Sequence, residues 1–173
     1  MKKFPFLLLD AGPIIKLFQL GIWEEFVSRC DVTVSRTVAE EAQYASLEFE
    51  DICIDLESYA AEGRTVIVDV ELADIKAFHE KFDLRNKVIV HAGELETLAF
   101  MLSSSENWLV CAADKAVFRV LGFLGRGEQG ISLEEILKTI GLWQDMERQY
   151  TRKFREEHTH KGQVDCVQGE GFA

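Results

Sequence analysis

Little in this sequence would brace a fold from outside. Only two prolines occur in 173 residues, and the four cysteines (Cys30, Cys53, Cys111, Cys166) lie far apart with no CxxC pair. A proline-rich linker, a zinc framework and a dense disulfide scaffold are therefore excluded, and a reducing cytoplasm is the expected location. Positive charge is scarce as well: 19 Lys and Arg stand against 30 Asp and Glu, a formal net charge of −11. That balance argues against a protein that coats nucleic acid with a broad basic surface. It leaves room for a carboxylate cluster that holds cations and meets nucleic acid locally. No apolar run is long enough to span a membrane. Lys2-Lys3 followed by apolar residues to Leu9 imitates a signal peptide, but Asp10 ends the run and Pro13 follows, so none is expected. No internal repeat, Walker loop or GxGxxG occurs.

Hydrophobic residues make up 47% of the chain, enough for one domain with a sizeable core. Phe6-Leu7-Leu8-Leu9 reads as a buried strand stopped by Asp10-Ala11-Gly12-Pro13, and Pro13 suits the first turn of a helix reaching about Leu20. A short helix is expected over 23–29, then a strand at Val32-Thr33-Val34. Thr37 and Glu40 have capping-box spacing, so a helix is expected from there to about Ala61, with a break around 45–49. Thr65-Val66-Ile67-Val68 is a third strand, followed by an amphipathic helix over 71–82. A helix over 92–102 buries Leu95, Leu98, Ala99 and Leu102 on one face. Trp108-Leu109-Val110-Cys111 is a fourth strand, with helices over 115–121 and, from the capping box Ser132/Glu135, over 133–140 to Gly141. Residues 1–142 thus form the domain, 143–161 a C-terminal helix, and 162–173 a flexible tail. Apolar strands alternating with helices imply a three-layer α/β/α sandwich around a parallel sheet of four to five strands.

Four acids fall at strand ends and helix starts. Asp10 follows the first strand, Glu41 lies in the first turn after the second, and Asp114 follows the fourth. Turns of that kind gather on one edge of a parallel sheet, where ligands bind. Glu94 opens the helix over 92–102 and joins the edge only if that helix start points there. Clustered carboxylates repel one another, and hard oxygen donors without His or Cys suit Mg²⁺ or Mn²⁺, the ions of phosphodiester hydrolysis. Each acid also has a purely structural explanation. Asp10 could cap the following helix, Asp114 could cap the helix over 115–121, and Glu94 complements a helix dipole. Glu40 is already accounted for by the capping box, which favours Glu41 as the functional member of that pair.

Four segments taken in order resemble the PIN domain family. They are Leu7-Leu8-Leu9-Asp10-Ala11-Gly12-Pro13-Ile14-Ile15, Val34-Ser35-Arg36-Thr37-Val38-Ala39-Glu40-Glu41, His91-Ala92-Gly93-Glu94-Leu95-Glu96-Thr97-Leu98-Ala99 and Trp108-Leu109-Val110-Cys111-Ala112-Ala113-Asp114-Lys115-Ala116. The third matches the VapC-like branch in which Gly-Glu replaces the more usual Asp. The resemblance covers about residues 5–142. It implies an endoribonuclease using Mg²⁺ or Mn²⁺ held by Asp10, Glu41, Glu94 and Asp114, with products bearing a 5′-phosphate and a 3′-hydroxyl. It also implies an RNA substrate, a cytoplasmic toxin paired with an antitoxin, and a homodimer. The sequence departs from the family pattern at Gly12 and Ala113, where hydroxyl or acidic residues are common. Those departures favour an alternative, a catalytically silent PIN scaffold that binds protein or RNA. A phosphatase of small esters is a third reading.

Lys115 and Arg119, one helical turn apart beside Asp114, are candidate phosphate-binding residues, with a solvated face as the plain alternative. The same choice applies to the basic stretch 148–161. His158 and His160 suggest a metal only with a third ligand nearby.

Overall fold

The computed structural model describes residues 2–48, 50–81 and 90–169. At its centre a four-stranded parallel sheet is built from β1 (Phe4–Leu9), β2 (Cys30–Ser35), β5 (Thr65–Val68) and β6 (Leu109–Cys111), in the spatial order β5-β2-β1-β6. A single parallel bridge from Val110 to Gly130 prolongs it past β6. Leu7, Leu8 and Leu9 are fully buried, as expected for a strand covered on both faces. Their alternation divides the core. Leu7 and Leu9 join Ile14 and Leu17 of α1 (Ala11–Gln19), Phe26 of α2 (Trp23–Arg29) and Ile136 of α8 (Leu133–Ile140). Leu8 faces the other layer, with Phe78 of α5 (Leu72–Lys81), Leu98 of α6 (Ala92–Ser103) and Phe118 of α7 (Lys115–Phe123). The fold is a three-layer α/β/α sandwich.

The stretch after β2 departs from expectation. Ser35, not Thr37, caps α3 (Arg36–Glu41), accepting a bond from the Val38 N–H at 3.2 Å. The helix ends at Glu41 instead of running on. An antiparallel hairpin follows, β3 (Tyr44–Ser46) with β4 (Asp51–Cys53), and Asp55 then caps α4 (Leu56–Ala61). Ala45 is fully buried in the α1 layer, and Gln19 of α1 donates to the Ser46 carbonyl at 3.0 Å. These tertiary contacts override a helical apolar spacing that had no interior of its own to fill.

The capping box of α8 stands as expected: Ser132 and Glu135 bond reciprocally, and Gly141 ends the helix at φ +74°. The C-terminal region does not. Residues 143–147 are irregular, a 3₁₀ turn covers Arg148–Tyr150, and α9 begins only at Arg152 and runs to Gln168, past the expected boundary at 161. Close packing on α7 accounts for the extra length. A Cβ on Gly162 would lie 1.9 Å from the Arg119 carbonyl oxygen, so only glycine allows this approach. Arg155 adds a two-pronged ion pair to Glu135 of α8, at 2.8 and 2.9 Å. Residues 170–173 lie outside the described residues, as does residue 82 of the helix expected over 71–82. No helix among the described residues is long and apolar enough to cross a membrane.

Candidate functional site

Asp10 leaves the end of β1, and its N–H donates to the Cys111 carbonyl at the end of β6, at 3.0 Å. The two strand ends are thereby locked side by side. Asp10 occupies the N-cap position of α1, yet its carboxylate makes no capping bond. Part of the reason is local: the third helical residue is Pro13, which has no N–H to offer. A bond from the Ala11 N–H remains. The capping explanation of Asp10 therefore fails. A charge that is only 7% exposed stands at a strand end without that use for it.

Glu94 is the third residue of α6 and is 4% exposed. Its Oε2 accepts from the His91 N–H at 2.9 Å, which holds the carboxylate back over the helix start. The start of α6 points to the acidic edge, because Asp10, Asp114 and Glu41 all act electrostatically on Glu94. Burial is the larger cause, and the three acids add to it, pushing the Glu94 carboxyl up to about 8. Asp10 is pushed up to about 6, again chiefly by burial, with Glu41 and Asp114 adding to it; the Ala11 N–H and His91 pull the other way.

Glu41 is exposed and is the last residue of α3, not a first-turn residue, because the helix is only six residues long. It reaches the cluster through a close approach of α3 to α6. A Cβ on Gly93 would lie 2.6 Å from Glu41 Oε2 and 2.9 Å from a Val38 methyl. Glycine at 93 therefore makes room for the Glu41 carboxylate beside Glu94. Glu40 lines a separate cleft with Tyr44 and Cys53. Glu41 is the member of the pair at the edge, but the capping argument for preferring it does not hold.

Asp114 caps α7, its Oδ1 accepting from the Ala116 N–H at 2.7 Å. Its structural explanation is real, and it uses one oxygen of two. Lys115 follows it, exposed and without an ion-pair partner among the described residues. Arg119 does not serve as a free cation, because its Nε is ion-paired with Asp165 of α9. In the basic stretch, Arg148 and Lys161 pair with Glu157, Arg152 with Glu156 and Arg155 with Glu135, so four of its five cations are ion-paired on a mixed surface. His158 is buried against the Phe154 ring, centroids 4.4 Å apart.

The two departures from the PIN pattern touch each other. A Cβ on Gly12 would come within 2.9 Å of the Ala113 Cβ. Two small residues thus let the first turn of α1 lie against the loop after β6, where two hydroxyl side chains would collide.

Sequence reasoning gave no role to His91, and it used Gly93 only as part of the Gly-Glu pair without a steric reason for it. It also missed Glu96, whose Oε2 accepts from the Thr37 N–H at 3.2 Å and ties α6 to α3. The donor set at the edge, four carboxylates of which two are buried and mutually repelled, has the chemistry of a hard divalent cation site. Among the described residues, however, no three His, Cys, Asp or Glu side chains are placed so that they could hold a metal ion as they stand. Coordination there requires the carboxylates to draw together by side-chain rotation. No protein-family model matches the chain, and no curated protein matches it.

Proposed function

We propose that this chain is a PIN-like endoribonuclease dependent on Mg²⁺ or Mn²⁺. The observation that carries the reading is the pairing of Asp10 with Glu94. Both are buried, both are raised in pKa by burial and by their acidic neighbours, and they stand with Glu41 and Asp114 at the carboxyl edge of a parallel sheet. Buried like charges at that position destabilise the fold unless something positive enters. A bound divalent ion would supply that charge, together with Lewis acidity at a phosphodiester. Asp10, Glu41 and Glu94, with the second oxygen of Asp114, would hold it. Asp10 and Glu94 would give up their protons as it enters, so occupancy would rise with pH. Lys115, on the rim beside Asp114, would meet a substrate phosphate. The toxin role, the antitoxin partner, the homodimer and the cytoplasmic location follow from the PIN resemblance and belong to the same proposal.

The test is incubation of the pure protein with structured RNA and Mn²⁺ or Mg²⁺, beside an EDTA control and Asp10→Asn. Cleavage only with metal and only in the unmutated chain supports the nuclease. The silent-scaffold reading draws on the Gly12–Ala113 contact and on the absence of a ready metal set. Absence of cleavage, together with a melting temperature indifferent to Mn²⁺, would favour it.

A further inference from the structure

The opposite edge of the sheet has the opposite charge. A cavity of about 460 Å³ opens at the amino end of β1, within the size range of small-molecule sites. Lys2 and Lys3, just ahead of β1, and Arg29, at the end of α2, bring three cations to it in a protein whose net charge is −11. Its apolar wall is Phe4, Pro5 and Ile140. The cations are not consumed by the fold. Lys2 is exposed and has no ion-pair partner among the described residues, and Lys3 has only a loose contact to Asp31, at 3.7 Å. Arg29 donates Nη1 to the Ile140 carbonyl at 2.6 Å, leaving the rest of its guanidinium to another acceptor. The carbonyl end of α8 also borders this cavity and would repel an anion, but three of its last four carbonyls are already engaged. Leu142 and Gly141 bond the Leu137 carbonyl, Gly141 also bonds that of Lys138, and Arg29 takes that of Ile140.

We propose that this cavity binds a small amphipathic anion, its phosphate or carboxylate head on Lys2, Lys3 and Arg29 and its apolar body against Phe4, Pro5 and Ile140. Cation placement fixes the head, and the apolar wall separates such a ligand from a bare inorganic ion. The site lies at the edge remote from Asp10 and Glu94 and does not depend on the nuclease reading.

Calorimetric titration of the full chain with AMP, octanoate, adenosine and inorganic phosphate tests it. The expected result is a Kd below about 1 mM for AMP or for octanoate, at least about tenfold tighter than for adenosine and inorganic phosphate. Whichever binds identifies the head group as phosphate or carboxylate. Lys2→Glu with Lys3→Glu, and separately Thr139→Glu, at an exposed residue that also lines the cavity, should each weaken binding by about tenfold or more, whereas Asp10→Asn should not change it. Circular dichroism confirms that the variants are folded. No binding by either amphiphile overturns the proposal. So does inorganic phosphate binding as tightly as AMP, or binding that both rim variants leave intact.

Discussion

Glu94→Gln should make the protein more stable, and by an amount that depends on pH in a defined way. In the folded chain the carboxyl titrates at about 8, against an ordinary value of 4.5. Between those two pH values the unfolded chain has lost a proton that the folded chain retains. Stability therefore falls as pH rises through the window and levels off above it. At about 1.4 kcal/mol per pKa unit, the full penalty is about 5 kcal/mol. Glutamine removes the charge and keeps the shape, and its carbonyl oxygen can still accept the His91 N–H that Glu94 Oε2 holds at 2.9 Å. Urea unfolding of the two proteins should therefore coincide near pH 4. Near pH 9 they should separate by about 2.5 M in midpoint, taking a slope of about 2 kcal/mol/M for a chain of this size. A Glu94→Gln midpoint equal to or below that of the unmutated protein at pH 9 would refute the claim that burial and neighbouring carboxylates load this position. A separation that is already full at pH 4 would refute its electrostatic origin.

Four further outcomes are expected. Asp10→Asn should abolish RNA cleavage and raise stability above pH 6 by up to about 3 kcal/mol, read by chemical unfolding, because the Asp10 carboxyl is lifted from 3.8 to about 6. Millimolar Mn²⁺ should raise the melting temperature at pH 8, have little effect at pH 5, where Glu94 holds its proton, and have less effect in Asp10→Asn; a shift equal at both pH values would contradict linked proton release. Gly93→Ala should cost about 1–3 kcal/mol and push Glu41 away from Glu94, measured as a lower unfolding midpoint together with loss of cleavage. Gly162→Ala should destabilise by at least as much by forcing α9 off the Arg119 carbonyl, seen as faster amide exchange along α9.

The sheet was legible because its central strand is apolar on both faces and its stops are abrupt. Leu7-Leu8-Leu9 followed by Asp10 fixes both the end of β1 and the place of an acid. Asp114 was legible for the same reason after β6. The hairpin of β3 and β4 was not legible. Each strand has three residues, and Ala45 gains its burial from α1, which no local window contains. Glu41 stands at the acidic edge, but not for the reason that favoured it over Glu40. Its place depends on the absence of a side chain at Gly93, fifty-two positions away, and not on the use of Glu40 in a cap. Arg119 misled because spacing along α7 shows which residues share a face but not what covers it. Asp165, across a helix crossing, takes that guanidinium. The extent of α9 past 161 was hidden in the same way, since Gly162 reads locally as a stop and its fit against the Arg119 carbonyl is a tertiary fact.

The seating of α9 on α7 also has a consequence for the order in which the molecule is completed. Asp114 caps α7, and α7 is held down by α9 (Arg152–Gln168), which follows all four strands of the sheet in sequence. While the chain is still being translated, strands β1, β2, β5 and β6 can all have emerged, yet the groove over Gly122 that receives the Thr159 backbone is still empty. The last of the four acids therefore gains its final support only once α9 has left the ribosome. A nascent chain stalled before that point would carry the sheet and three of its acids, with the fourth on a helix not yet clamped.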